Sequence, residues 1–204
     1  MGSAITSLSF ANAFYANCAS AQIIPDSTLG NENSTVTSTG SVDSINGGAT
    51  RGANLFRSFG EFNVGEGRSV YFTNPAGIEN ILSRVTGGNP SQILGKLGVL
   101  GNANLFLINP NGIIFGQNAS LDVRGSFVGT TASAIGFGNQ GFFSATNPST
   151  PSLLTVNPSA LLFNQIRAAS IENNSVADAG LDPSSESTAT GLVCAYQMAR
   201  VCCW

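Results

Sequence analysis

Apolar residues along this chain come in short bursts separated by Gly, Asn, Ser and Thr. Val70-Tyr71-Phe72, Leu105-Phe106-Leu107-Ile108 and Ile113-Ile114-Phe115 are too short for helices and are bounded by turn residues, so they read as strands. Leu121–Val123, Phe127–Gly129, Ala134–Phe137, Phe142–Ser144 and Leu153–Val156 continue the series at intervals of roughly eight to ten residues. Residues 33–50 are polar, with Val36, Val42 and Ile45 as isolated apolar points, consistent with edge strands or loops. Phe56, Phe59 and Phe62 have the spacing of a helical stripe, but Gly52, Gly60 and Gly65 argue for extended or turning chain. Only one region has a full helical period. Ile78, Ile81, Leu82 and Val85 fall at i, i+3, i+4 and i+7 until Gly87-Gly88 stops them. Asn89-Pro90 then offers a cap and a first-turn proline ahead of Ile93, Leu94 and Leu97. One or two short helices are predicted there.

A near-repeat runs through the turns. Asn109-Pro110-Asn111-Gly112-Ile113-Ile114-Phe115 resembles Asn157-Pro158-Ser159-Ala160-Leu161-Leu162-Phe163, and Asn74-Pro75-Ala76-Gly77-Ile78 is a shorter echo. Each sets an Asn-Pro turn beside an apolar segment, as if successive coils met the same corner. Such recurrence suits a β-solenoid, whose coils bury apolar faces against their neighbours. Asn-Pro is also a common turn pair, so the pattern by itself leaves solenoid and sandwich both open.

Composition narrows the function classes. Charged residues make up only 9% of the 204 positions, whereas 42% are hydrophobic, so polarity comes from Asn, Ser, Thr and Gln. That mixture fits short strands and tight turns and gives an all-β class. The net charge of −3 and the single Lys96 provide no basic stripe, which excludes a nucleic-acid partner. No apolar run approaches the roughly 18 residues of a membrane helix, so no transmembrane segment is expected. Histidine is absent, which removes His-based triads and most zinc sites; no metal or cofactor is expected.

The N-terminus reads as a processing signal. Ala4–Ala16 is small and moderately apolar, and Ala19-Ser20-Ala21 is an A-x-A cleavage pattern, which would make residues 1–21 a signal peptide and Gln22 the mature start. The usual positive n-region is missing, since no Lys or Arg precedes Arg51. Cys18 lies inside this segment, and Cys194, Cys202 and Cys203 crowd the far end, so the body from Gln22 to Val193 has no cysteine.

Three blocks carry a family resemblance: Asn74-Pro75-Ala76-Gly77-Ile78, Ile81 to Gly95, and Asn104 to Ile113. Together they resemble the N-terminal secretion domain of two-partner-secretion exoproteins, the filamentous haemagglutinin type, in a form similar to cyanobacterial members. The resemblance covers roughly 23–192, and the domain is expected over 22–192. The family's NPNGI motif is intact at Asn109-Pro110-Asn111-Gly112-Ile113. Its other motif, NPNL, corresponds to Asn74-Pro75-Ala76-Gly77, where only Asn74 and Pro75 match.

The resemblance implies a right-handed, single-stranded, pectin-lyase-like parallel β-helix with an N-terminal cap and extra-helical strands. It also implies passage through the periplasm to an outer-membrane β-barrel transporter with POTRA domains, and then a secreted or cell-surface location. The implied role is an export domain that nucleates β-helix folding at the surface. Asn109, Pro110, Asn111, Gly112, Ile113, Asn74 and Pro75 are then candidates for structural turns, for transporter recognition, or for both.

Two other readings compete. Many parallel β-helices cleave polysaccharides, which needs paired carboxylates or a base beside a metal. The nearest pairs here, Glu61 with Glu66 and Asp178 with Asp182, sit among loop-like residues, Lys96 reads as surface, and no enzyme is expected. A carbohydrate-binding adhesin module acting on surface glycans is the alternative, although no sugar-binding cluster is visible. Beyond Leu192 the character changes to Val-Cys-Ala-Tyr-Gln-Met-Ala-Arg-Val-Cys-Cys-Trp. Regrouping its codons by one base permits Val-Arg-Leu-Pro-Asp-Gly-Lys-Ser-Leu-Leu-Leu, like the coil the family carries next, so 193–204 is expected to be a frameshifted tail.

Overall fold

The computed structural model describes residues 22–165 and 168–176, together with the backbone of an antiparallel pair, Ala195–Gln197 with Arg200–Cys202. The expectations placed on residues 1–21, on Asp178 and Asp182, and on the side chains of 193–204 lie outside the described residues. Within them, every regular element is a strand except one 3-10 turn at Gly138–Gln140.

Parallel strands wind into a solenoid with three faces. The first face stacks β5 (Asn54–Phe62), β7 (Asn80–Val85), β10 (Asn104–Ile108) and β13 (Phe127–Thr130). The second stacks β3 (Val42–Gly47), β6 (Ser69–Thr73), β9 (Lys96–Leu100) and β12 (Ser120–Asp122). The third stacks β8 (Ser91–Ile93), β11 (Ile113–Phe115) and β17 (Ile171–Asn173), with Val64 bridged to Ile93 where an earlier strand would lie. The chain visits the first, third and second faces in rotation, which is the path of a parallel β-helix. Ile45, Phe59, Phe62, Phe72, Ile81, Leu97, Leu105, Ile113 and Phe127 fill the interior.

An N-terminal cap and a flap complete the fold. At the N-terminal end β1 (Ile23–Pro25) pairs antiparallel with β5, and β2 (Ser34–Thr39) pairs antiparallel with β3. β4 (Ala49–Arg51) pairs antiparallel with the start of β5. Outside the coils, β14 (Ala134–Gly136) is flanked by β15 (Phe142–Ser144) and β16 (Ala160–Leu162), both antiparallel to it. This small sheet and its connecting segment lie over the outer side of the first face. There Phe56, Leu82 and Ile108 form a second core with Ile135, Phe137, Phe143 and Leu154.

The second core explains the failed helix prediction. All six residues of β7 are buried. Ile81 and Val85 point into the coil, whereas Leu82 points outward under the flap. A strand apolar on both faces loses its two-residue alternation, and its apolar positions matched a helical period by coincidence. The second predicted helix is likewise β8, a corner and the start of β9. Asn89-Pro90 is the corner leading into β8, where a Cβ on Gly87 would strike the Gly60 carbonyl. Leu153–Val156 is not a strand: Leu154 is a fully buried plug between exposed Leu153 and Val156.

The three Asn-Pro turns do not share a corner. Asn109-Pro110 joins the first face to the third, beside Asn89-Pro90 of the preceding coil, and Asn74-Pro75 joins the second face to the first. Asn157-Pro158 lies in the flap. The repeat that does mark the coils is an asparagine at the head of the first three first-face strands, Asn54, Asn80 and Asn104, with Ser126 in the matching place before the fourth, at spacings of 26, 24 and 22 residues.

Candidate functional site

The Asn109 corner is built on an interlocked set of backbone bonds. Gly112 N–H donates to the Asn109 carbonyl at 3.1 Å, which closes the turn around Pro110 and Asn111. Asn109 Oδ1 accepts from Asn111 N–H at 2.9 Å, an Asx bond that fixes the turn's entry. Asn109 Nδ2 then reaches the coil before, donating to the Asn89 carbonyl and to Ser91 Oγ, both at 3.0 Å. Asn109 is fully buried, and a buried carboxamide whose donors and acceptor are all used ties one corner to the next. Gly112 has φ +120°, a conformation that L side chains rarely adopt. Ile113, fully buried, anchors the following strand in the core. Asn111 is exposed, and its Nδ2 donates to the Gly87 carbonyl at 2.7 Å.

Asn74 performs a similar link at a different corner. With its carboxamide oriented to satisfy its surroundings, it donates to the Pro75 and Ile78 carbonyls and accepts from the N–H groups of Asn102 and Ala103. Pro75 itself is exposed, and Gly77 takes φ +82°. The two motifs therefore occupy two corners of the coil and do not converge on one site. Between them they present exposed Pro75, Ala76, Gly77 and Asn111 to solvent.

The sequence reading missed the polar joint beneath the flap. Asn80 Nδ2 donates to Asn54 Oδ1 at 3.0 Å, and Asn104 Nδ2 to Asn80 Oδ1 at 2.9 Å. Asn104 Oδ1 in turn accepts from Ser126 N–H. At the near end Asn54 Nδ2 donates to the carbonyls of Leu154 and Val156, both at 2.8 Å. This ladder runs across the coils and ends by holding the flap. Its signal was present as Asn-Leu-Phe at 54, Asn-Ile-Leu at 80 and Asn-Leu-Phe at 104.

Arg84, also fully buried, is the other fastener. Its Nε donates to Ser58 Oγ, one terminal nitrogen donates to the Ser144 carbonyl, and the other to Thr28 Oγ1 and the Ser149 carbonyl, all within 2.9 Å. Its guanidinium sits 4.3 Å from the Phe143 ring centre. Burial pushes Arg84 down to about 10, and the neighbouring Asp26 carboxylate partly offsets that. Burial by itself would raise the Asp26 carboxyl. Hydrogen bonds from Thr28, Thr86 and Ser58 outweigh it and hold the group below its ordinary 3.8.

Of the candidate acids, the described Glu61 and Glu66 are engaged separately. Glu61 accepts from Asn89 Nδ2 and Glu66 from Asn118 Nδ2, each engaged in its own corner. Among the described residues no group of three His, Cys, Asp or Glu side chains is placed to hold a metal ion. No described helix is long and apolar enough to cross a membrane.

Comparison with known proteins places this geometry in context. The family model described as TPS secretion domain matches residues 21–187. A heme/hemopexin-binding protein of Haemophilus influenzae (strain ATCC 51907 / DSM 11121 / KW20 / Rd) is 44% identical over 69 residues, which is 34% of this chain and 7% of that relative. A second heme/hemopexin-binding protein of Haemophilus influenzae is 42% identical over 64 residues, 31% of this chain and again 7% of the relative. The matches thus span a small fraction of these curated relatives' length.

Proposed function

The chain belongs to the TPS (two-partner secretion) secretion domain family, and from that premise we propose that its Asn109 corner serves export through a dedicated outer-membrane β-barrel with POTRA domains. An export domain of a secreted exoprotein is what family membership gives; recognition through a particular turn is our reading. The observation that carries it is the division of labour within Asn109-Pro110-Asn111-Gly112. Asn109 and Gly112 are buried and lock the corner, while Asn111 is held outward with its backbone fixed by the Asx bond. A rigid exposed turn costs little ordering entropy on docking, so it is suited to recognition. Asn74-Pro75 contributes a second rigid corner.

Folding outside the cell then opposes backsliding, because each coil buries its apolar side chains against the last. The product is secreted or retained at the cell surface. Membership of a secretion-domain family supports a non-enzymatic reading.

The test is secretion of the chain, given a standard signal peptide, with and without a two-partner transporter from the same genome. Asn109→Ala is expected to cut transporter-dependent export, and Asn111→Ala to do so with a smaller fall in Tm, since it loses one exposed hydrogen bond to the Gly87 carbonyl. Folded, soluble protein retained in the periplasm whether or not the transporter is present would overturn the export reading. Normal export of both variants would remove the corner from it.

A further inference from the structure

Asparagine is followed by glycine at Asn46-Gly47 and at Asn111-Gly112. Such a pair is chemically labile. The glycine's backbone nitrogen, once it has given its proton to hydroxide, attacks the asparagine Cγ, and with no Cβ beside it nothing hinders the approach. The bond from Cγ to Nδ2 breaks, ammonia leaves and a five-membered succinimide remains. Water then opens the ring at either carbonyl and gives aspartate or isoaspartate. One asparagine and one water are consumed, and one acid and one ammonia are formed.

The Asn-Pro corners are exempt by chemistry. Asn74, Asn89, Asn109, Asn147 and Asn157 each precede proline, whose nitrogen carries no proton to lose. At the two labile pairs the fold itself demands glycine. Gly112 takes φ +120°, and a Cβ there would lie 3.1 Å from the Ser170 carbonyl oxygen. Gly47 takes φ +69°, and a Cβ there would lie 2.5 Å from the Asn33 carbonyl oxygen.

Folding closes the second of these pairs. Gly112 is buried, and its N–H, which holds the proton that must be lost, donates to the Asn109 carbonyl at 3.1 Å. Asn111 N–H is held by Asn109 Oδ1 at 2.9 Å, and Asn111 Nδ2 donates to the Gly87 carbonyl at 2.7 Å. Neither the backbone nor the carboxamide is then free to turn toward the other, and fully buried Ile113 pins the residue that follows. We propose that Asn111 is a site of spontaneous deamidation, open in the extended chain and closed by the Asn109 corner once the coil forms. Isoaspartate adds one methylene to the backbone between Asn109 and Gly112, so a chain that reacts before folding brings a longer segment to that turn. On the export reading the chain stays extended until it folds outside the cell, and the corner then records how long that took. This consequence rests on the export reading; the site itself does not.

The test is peptide mapping by mass spectrometry on the full chain, incubated in mildly alkaline buffer with and without guanidinium chloride. In denaturant both Asn-Gly pairs are expected to react at similar rates. In native buffer Asn111 is expected to react at least about tenfold more slowly than in denaturant, because reaction waits on local opening of the corner. Asn109→Ala is expected to raise the native rate at Asn111 by about threefold or more, through loss of the bonds that fix the corner, with the rate at Asn46 unchanged. Equal rates at Asn111 with and without denaturant overturn the proposal, as does no reaction at Asn111 in denaturant where Asn46 reacts. A rise at both pairs in Asn109→Ala, or at neither, removes the corner as the protecting element and overturns it too. No transporter enters the measurement, so its failure leaves the export reading standing, and failure of export leaves this site in place.

Discussion

Two arginines, Arg57 and Arg84, are fully buried on adjacent strands of the first face, and they have opposite surroundings. Arg57 points into the coil. It donates to the Ile45 carbonyl at 2.5 Å and to the Thr73 carbonyl and Oγ1 at 2.9 Å, and lies 5.4 Å from the Phe72 ring centre. Its Nε and Ser83 Oγ, in register on the next strand, find no partner among the described residues. Burial alone pushes its guanidinium down to about 9. Arg84 points outward under the flap, where every nitrogen donates and an aspartate lies nearby. Burial is the same for both, but compensation is not. The interior offers Arg57 only the Ile45 and Thr73 carbonyls and the Thr73 hydroxyl, whereas the outer joint draws together residues 26–28, 58, 84 and 144–149. Arg84 therefore fastens distant parts of the chain, and Arg57 is a locally tolerated cost.

Removing the outer arginine should break this contrast most strongly. Arg84→Ala leaves several buried acceptors unpaired and is expected to cost about 3–5 kcal/mol in denaturant unfolding, with residues 144–157 becoming the first protease-sensitive segment. A smaller change in the same joint is Asn80→Ala, which cuts the ladder at its centre. Its expected cost is about 1–3 kcal/mol, since Asn54 Oδ1 loses a donor and Asn104 Nδ2 its acceptor.

Acid sharpens the comparison from another side. Asp26 has a folded pKa below its ordinary 3.8, so it contributes stability that is present above that value and is lost as pH falls through the folded pKa. Acid unfolding below 3.8 should therefore flatten in Asp26→Asn, measured as Tm against pH. An unchanged slope would remove Asp26 from the joint. The smallest effect belongs to the interior: Arg57→Met, of similar length and no charge, is expected to fall within about 1 kcal/mol of the parent or to stabilise it. A loss as large as that of Arg84→Ala would erase the distinction.

Much of the fold was legible as local pattern. Short apolar bursts flanked by Gly and Asn gave β6, β10, β11 and β13, because a strand buried on its inner side needs only a few residues and a turn at each end. The Phe56 to Phe62 segment, read as extended or turning chain because its glycines overrode a misleading spacing, is the strand β5. The corner residues were visible too, since Asn-Pro and Asn-Gly announce turns wherever they occur. The coil register was not recovered from the Asn-Pro pairs, which lie at two different corners and in the flap. The asparagine ladder would have supplied it, but coils of 26, 24 and 22 residues have no fixed period to detect.

The sequence by itself determined an all-β chain of short strands and rigid corners, because turn chemistry and burst length act within a few residues. The tertiary structure alone decided which strands are buried on both sides. Leu82 and Arg84 look like part of a helix until Phe143, Ser144, Ser149 and Leu154, some 60 to 70 residues later, are laid across them. A residue's environment there is set by contacts between segments far apart in the chain, which no local window contains.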